Sequence, residues 1–169
     1  MKMSALLLLA LLLSADVHAA DHPVIARLLA RPEPPPGVVF EIVTADPRAL
    51  EWAVPEVAAQ ARRLRARFPG LPIAVVTHGR EMFALQKDKR DEASQVHAEV
   101  ARLANEEDIP VHVCETHAGW RGVGAEAFPE YVNVSPAGPA QVRDYMAMGY
   151  VRVKITPRRP QPTPRDGLQ

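Results

Sequence analysis

The run Val38-Val39-Phe40-Glu41-Ile42-Val43 is β-branched and aromatic, of a length suited to a central strand, and Asp46-Pro47 follows it at once. That pair reads as a helix start, with Asp as N-cap and Pro at the first helical position. The same succession of strand and helix recurs down the chain. Leu50, Val54, Val57, Ala58, Ala61 and Leu64 fall near helical spacing, with Pro55 expected to kink the helix or split it in two. Pro69-Gly70 breaks it ahead of a second strand, Ile73 to Thr77, which ends at His78-Gly79. After a polar stretch from Lys87 to Glu92, a helix from about Ala93 to Asn105 places Val96, Val100 and Leu103 on one face. Ile109-Pro110 closes that crossover, and Val111-His112-Val113-Cys114 makes a third strand. A short helix precedes a fourth strand, Tyr131 to Val134. Ser135-Pro136-Ala137-Gly138-Pro139 then opens a helix to about Met148, Gly149 ends it, and Val151 to Ile155 is the last strand.

Strands alternating with helices of this length imply right-handed crossovers and an α/β domain: a mainly parallel sheet of about five strands with helices on both faces. Such sheets carry ligands and reactive groups at the carboxyl ends of their strands. His78 and Cys114 both stand at such ends, and they meet if the second and third strands are neighbours.

The two ends of the chain read differently. Met1-Lys2-Met3-Ser4, the uncharged apolar run from Ala5 to Leu13 and the small residues around Val17 and Ala19 form a secretory signal, residues 1–19, with cleavage expected after Ala19. The run is too short to span a membrane. Cleavage leaves about 150 residues, enough for one domain with a sizeable core. Residues 20–37 form a lead-in of one or two helical turns followed by the proline-rich stretch Pro32 to Pro36, ahead of a domain over 38–155. Residues 156–169, rich in Pro and Arg without apolar periodicity, are expected to be a disordered tail. Export directs the protein to the periplasm.

Twenty basic and 20 acidic side chains cancel, so neither a nucleic acid nor an anionic membrane surface is an expected partner. Arg62, Arg63, Arg65 and Arg67 read as a solvated face toward the negative end of their helix. His97 is expected on a helix face with no special role. No phosphate-cradling glycine loop and no Ser-centred nucleophile elbow is present, and no cofactor is expected.

Cys114 is the only cysteine, so an intramolecular disulfide is excluded even in an oxidising compartment. A lone thiol there is either buried and inert or kept for its chemistry. Its surroundings, Val111-His112-Val113-Cys114-Glu115-Thr116-His117-Ala118-Gly119-Trp120-Arg121-Gly122-Val123, favour chemistry. A thiol where a strand passes into a helix faces backbone N–H groups, His112 shares its strand face, and His117 and Arg121 are within reach from the loop. Each would favour the thiolate, whereas Glu115 would oppose it unless its side chain points away. A second chemistry fits the same cluster. His112, Cys114 and His117, with His78 as a possible fourth ligand, suit copper or zinc, although the spacing matches no strong metal signature.

The ordered set of a strand ending in His-Gly, a lone Cys closing the third strand, Arg-Gly-Val soon after, Val-Asn-Val-Ser-Pro-Ala-Gly and a final Met-Gly-Tyr-Val-Arg-Val-Lys-Ile resembles the DsrE/DsrF-like sulfur-relay family over roughly Val38 to Ile155. The resemblance implies a flavodoxin-like three-layer subunit that assembles into trimers or hexamers. It also implies a sulfurtransferase-like carrier that holds sulfane sulfur as a persulfide on Cys114 and passes it between donor and acceptor proteins. Read from the residues rather than from the resemblance, His117, Arg121 and His78 would support the sulfur. The signal segment sets this chain apart from the family's cytoplasmic members, which serve sulfur oxidation and transfer-RNA thiolation. A third reading keeps the fold without the chemistry, as an assembly module in which Trp52, Trp120, Phe128 and Tyr131 make contacts between subunits or fill the core.

Overall fold

The structure is a computed structural model and describes residues 22–157. The signal segment, residues 1–19, and all but the first two residues of the tail lie outside the described residues. Five strands, β1 (Gly37–Ile42), β2 (Ile73–Thr77), β3 (Val111–Cys114), β4 (Asn133–Ser135) and β5 (Tyr150–Ile155), form one sheet in the order β4-β3-β2-β1-β5. Every pairing is parallel. Helices α1 (Pro23–Leu29), α2 (Leu50–Arg67) and α3 (Ser94–Asn105) pack on one face, and α5 (Gly138–Ala147) on the other. The five-residue helix α4 (Glu115–Gly119) follows directly on β3. This is the expected three-layer α/β fold. Its strand order runs steadily from β1 to β4, and the chain then returns through α5 to lay β5 beside β1. The reversal therefore falls between β1 and β5.

The layers follow from side-chain alternation. On β1, Val38, Phe40 and Ile42 face α2 and α3 with Ile73, Val75, Val111 and Val113, and this side holds the larger core, including the fully buried Leu50, Leu64 and Leu103. Burying each such aliphatic side chain contributes roughly 1.5–3 kcal/mol. The opposite face is thinner: Val39, Ala74 and Val76 meet Val142 and Tyr145 of α5.

Several expectations are corrected. Asp46 accepts the Arg48 N–H through Oδ1 at 2.9 Å, but it caps a tight turn, and the regular helix begins only at Leu50. Helix α2 runs through Pro55 without splitting. Pro55 lies on its exposed side, so the Glu51 carbonyl that loses a partner meets water, and the apolar stripe on the other side holds the helix together. The fourth strand starts at Asn133, because a turn from the Pro129 carbonyl to the Val132 N–H precedes it. The arginines of α2 are not merely solvated: Arg65 donates to the carbonyls of Leu71, Glu107 and Asp108, and Arg67 to that of Arg31. These bonds tie the end of α2 to three loops. His97 is buried, with Nε2 donating to the Ala84 carbonyl at 3.0 Å and Nδ1 2.6 Å from the Tyr131 hydroxyl. It pins α3 to the segment after β2.

Candidate functional site

The register sets the site. Thr77 of β2 pairs with Val113 of β3, so the next residues, His78 and Cys114, stand side by side on the α5 face where the two strands end. Over these ends lies a cavity of about 480 Å³. Val43, Thr44 and Ala45 from the end of β1, Gly79 and Arg80 after His78, Thr116, His117 and Trp120 of α4, and Ala137 and Pro139 at the start of α5 complete its lining. Two wider surface grooves, about 860 and 510 Å³, lie along α2 and α3. Glu51 and Glu92, paired with Arg48 and Lys89, line both grooves, and neither groove opens over the carboxyl ends of the strands, so the smaller cavity is the chemical candidate.

Cys114 is 4% exposed, and its Sγ accepts a hydrogen bond from the His117 backbone N–H at 3.4 Å. The first turn of α4 thus turns a backbone donor toward the sulfur. Thr116 spends its own N–H on the Pro136 carbonyl at 3.1 Å, and its hydroxyl does the same at 2.6 Å. This ties α4 to the segment leading into α5. Glu115 is exposed.

Of the residues singled out in the sequence, His78, Cys114 and His117 line one cavity. The imidazole of His117 is engaged elsewhere than at the sulfur: its Nδ1 donates to the His78 carbonyl at 2.9 Å. Its ring meets the edge of Phe83 at 5.2 Å and lies 5.7 Å from Trp120. The Arg121 guanidinium sits 5.0 Å from the Phe83 ring centre, so it braces the wall that holds His117. His112 shares the face of Cys114 but is bound on both nitrogens, Nδ1 to Ser135 Oγ and Nε2 to the Tyr145 hydroxyl, each at 2.9 Å. Burial lowers its pKa. Among the described residues no group of three or more His, Cys, Asp or Glu side chains is placed to hold a metal ion. Trp52 and Tyr131 pack against the core and Phe128 is buried in it, whereas Trp120 is 79% exposed beside the cavity.

The architecture resembles that of a solved structure. A protein of unknown function, MTH1491 from Methanobacterium thermoautotrophicum, matches with a TM-score of 0.55 and 21% identity over 70% of this chain and 97% of that one. The fold is a known one. The protein of unknown function BT1422 from Bacteroides thetaiotaomicron (TM-score 0.49, 15% identity, 69% of this chain and 94% of that one) and the ychN protein from E. coli (0.48, 11%, 70% and 99%) are looser matches. The chain matches no protein-family model and no curated protein. Likeness at this level of identity speaks for fold, so chemistry rests on the site.

Two carboxylates at the site went unnoticed in the sequence. Glu41, on central strand β1, is 5% exposed, and its Oε1 lies 3.0 Å from His78 Nε2. Its Oε2 accepts no hydrogen bond, with Arg152 Nη1 at 3.6 Å and Lys154 Nζ at 4.0 Å. The available signal was a charge inside an otherwise apolar strand. Glu81, fully buried, accepts from Thr77 Oγ1 (2.7 Å), the Gly79 N–H (2.8 Å) and the Thr44 N–H (2.9 Å). It fixes the two loops that wall the cavity.

Proposed function

We propose that this protein is an exported sulfur carrier of the DsrE/DsrF-like kind, holding sulfane sulfur as a persulfide on Cys114. The observation that carries the reading is the placement of the sole cysteine at the carboxyl end of β3, facing an apolar-walled cavity, with a backbone N–H on its sulfur. A persulfide needs an anion-stabilising donor on one side and protection from water on the other. The amide supplies the first, and the burial of Cys114 itself, 4% exposed with Gly138 of α5 packed on its Cβ, supplies the second. The fold shared with MTH1491 is consistent with the family, and the signal segment read from the sequence supports export to the periplasm. Donor and acceptor are proteins that present a thiol or persulfide at the cavity mouth, where Trp120 stands exposed. Homo-oligomerisation belongs to the same reading.

The test is cyanolysis. Protein incubated with inorganic polysulfide and desalted releases thiocyanate in proportion to Cys114 when cyanide is added, and the Cys114→Ser variant releases none. Equal release from both proteins, or none from either, removes the basis of the proposal.

A further inference from the structure

Glu41 is expensive where it stands. A carboxylate buried on the central strand of a sheet loses its hydration, and the loss is repaired only by close partners. The Oε1 contact to His78 Nε2 at 3.0 Å is its hydrogen bond, the two side chains being 7% and 11% exposed. An apolar residue, such as those around it on β1, would pack there without that cost. A fold that keeps such a charge commonly does so at a functional site.

The position has chemical meaning because of the rows that cross the α5 face. Glu41 lies level with Val76 and His112, and Val43, His78 and Cys114 form the next row toward the carboxyl ends. Glu41 therefore reaches diagonally to His78, and His78 neighbours Cys114 across one strand spacing of about 4.8 Å. Gly138, the first residue of α5, presses on both: a Cβ there would lie 2.8 Å from His78 Cγ and 3.3 Å from Cys114 Cβ. With Nε2 committed to Glu41, Nδ1 is the nitrogen left to His78 for the thiol. The charged and titratable groups around the imidazole are Glu41 on β1, Cys114 on β3, Arg80 in the loop after β2, Arg152 and Lys154 on β5 through Glu41, and His117 of α4 on its carbonyl.

We infer that Glu41 is the positioning residue of a proton relay in which His78 takes the thiol proton of Cys114. The inference deepens the sulfur-carrier reading and rests on it for its biological meaning. In the transfer, Cys114 Sγ attacks the outer sulfur of a donor persulfide, R–S–SH. The Sγ–S bond forms as the donor S–S bond breaks, and the thiol proton passes to His78. The departing RS⁻ takes the bonding electron pair and then the proton from the imidazolium. R–S–SH and a thiol become R–SH and a persulfide, with no net oxidation. Glu41 holds the ring and balances the transient imidazolium, in the manner of the acid that orients a base in a catalytic triad.

The test is the rate of Cys114 alkylation by iodoacetamide, a neutral probe, followed across the neutral pH range together with thermal unfolding. Glu41→Gln is expected to slow alkylation at neutral pH by about 100-fold or more and to displace the pH profile. Melting should change little, because Gln keeps the volume and an acceptor for His78 while Arg152 and Lys154, half exposed, are left to water, and Glu41→Asp should restore part of the rate. His78→Asn should displace the profile in the same direction and decides the matter if Glu41→Gln does not fold. A profile identical to that of the unaltered protein overturns the relay. So does a loss uniform at all pH values that tracks a lowered melting temperature, which is the mark of a structural role. Polysulfide loading of the unaltered protein is scored separately: failure to load with the alkylation effects intact refutes the carrier and spares the relay.

Discussion

Replacing Gly138 by alanine adds one methyl group at the tightest point of the site. Its Cβ would stand 2.8 Å from His78 Cγ, nearer still to His78 Cβ, and 3.3 Å from Cys114 Cβ. The atoms it meets lie next to the backbone, where rotamer changes give no relief, so α5 or the end of β2 must move. Overpacking of this kind costs about 1–3 kcal/mol, and the reduced freedom of the unfolded chain returns about 0.4–1 kcal/mol. The net expectation is a loss of about 1–2 kcal/mol, or roughly 3–8 °C in melting temperature for a domain of this size. Because His78 and Cys114 are the residues displaced, alkylation of Cys114 should change with it. The control is Gly119→Ala, where the added methyl meets nothing within 4 Å, and stability should hold or rise by up to about 1 kcal/mol. Calorimetry and alkylation rates measure both variants. Gly138→Ala melting at or above the unaltered protein, with Cys114 alkylated at the same rate, would refute the close packing of α5 on the site.

Two further outcomes follow from buried polar groups. Glu81→Ala strips the acceptor from two backbone N–H groups and the Thr77 hydroxyl at once, and should cost about 3 kcal/mol or more in denaturant unfolding; a loss near zero contradicts that role. Burial lowers the pKa of both His97 and His112, so between their folded values and the unfolded value of about 6.5 the unfolded chain binds more protons. Stability should be level above that pH and fall as the pH drops below it, with a shallower fall in His112→Gln; denaturation midpoints that rise toward acid in that window contradict the assignment.

The strands of this fold were legible because apolar β-branched runs are bounded by prolines and glycines. Val111–Cys114 and Ile73–Thr77 fall where the pattern puts them. Local punctuation yields to packing at Asp46, which caps a turn ahead of the helix, and at Pro55, which sits on a solvent face and does not split α2. Cys114, His78 and His117 could be singled out because strand ends are where such sheets do chemistry. What each side chain touches was not available, since His117 is turned by a carbonyl from the neighbouring strand and Arg121 by a ring 38 positions away in sequence. Glu41 and Glu81 were overlooked for the same reason. A carboxylate's value depends on partners that only the tertiary fold assembles.

The central claim is that Cys114 carries sulfur, and intact mass measurement of the purified protein before and after polysulfide, beside Cys114→Ser, tests it most directly. The account predicts a mass heavier by whole sulfur atoms, reversed by reductant and absent in the variant. A Cys114 that keeps its thiol mass through that exposure would contradict it.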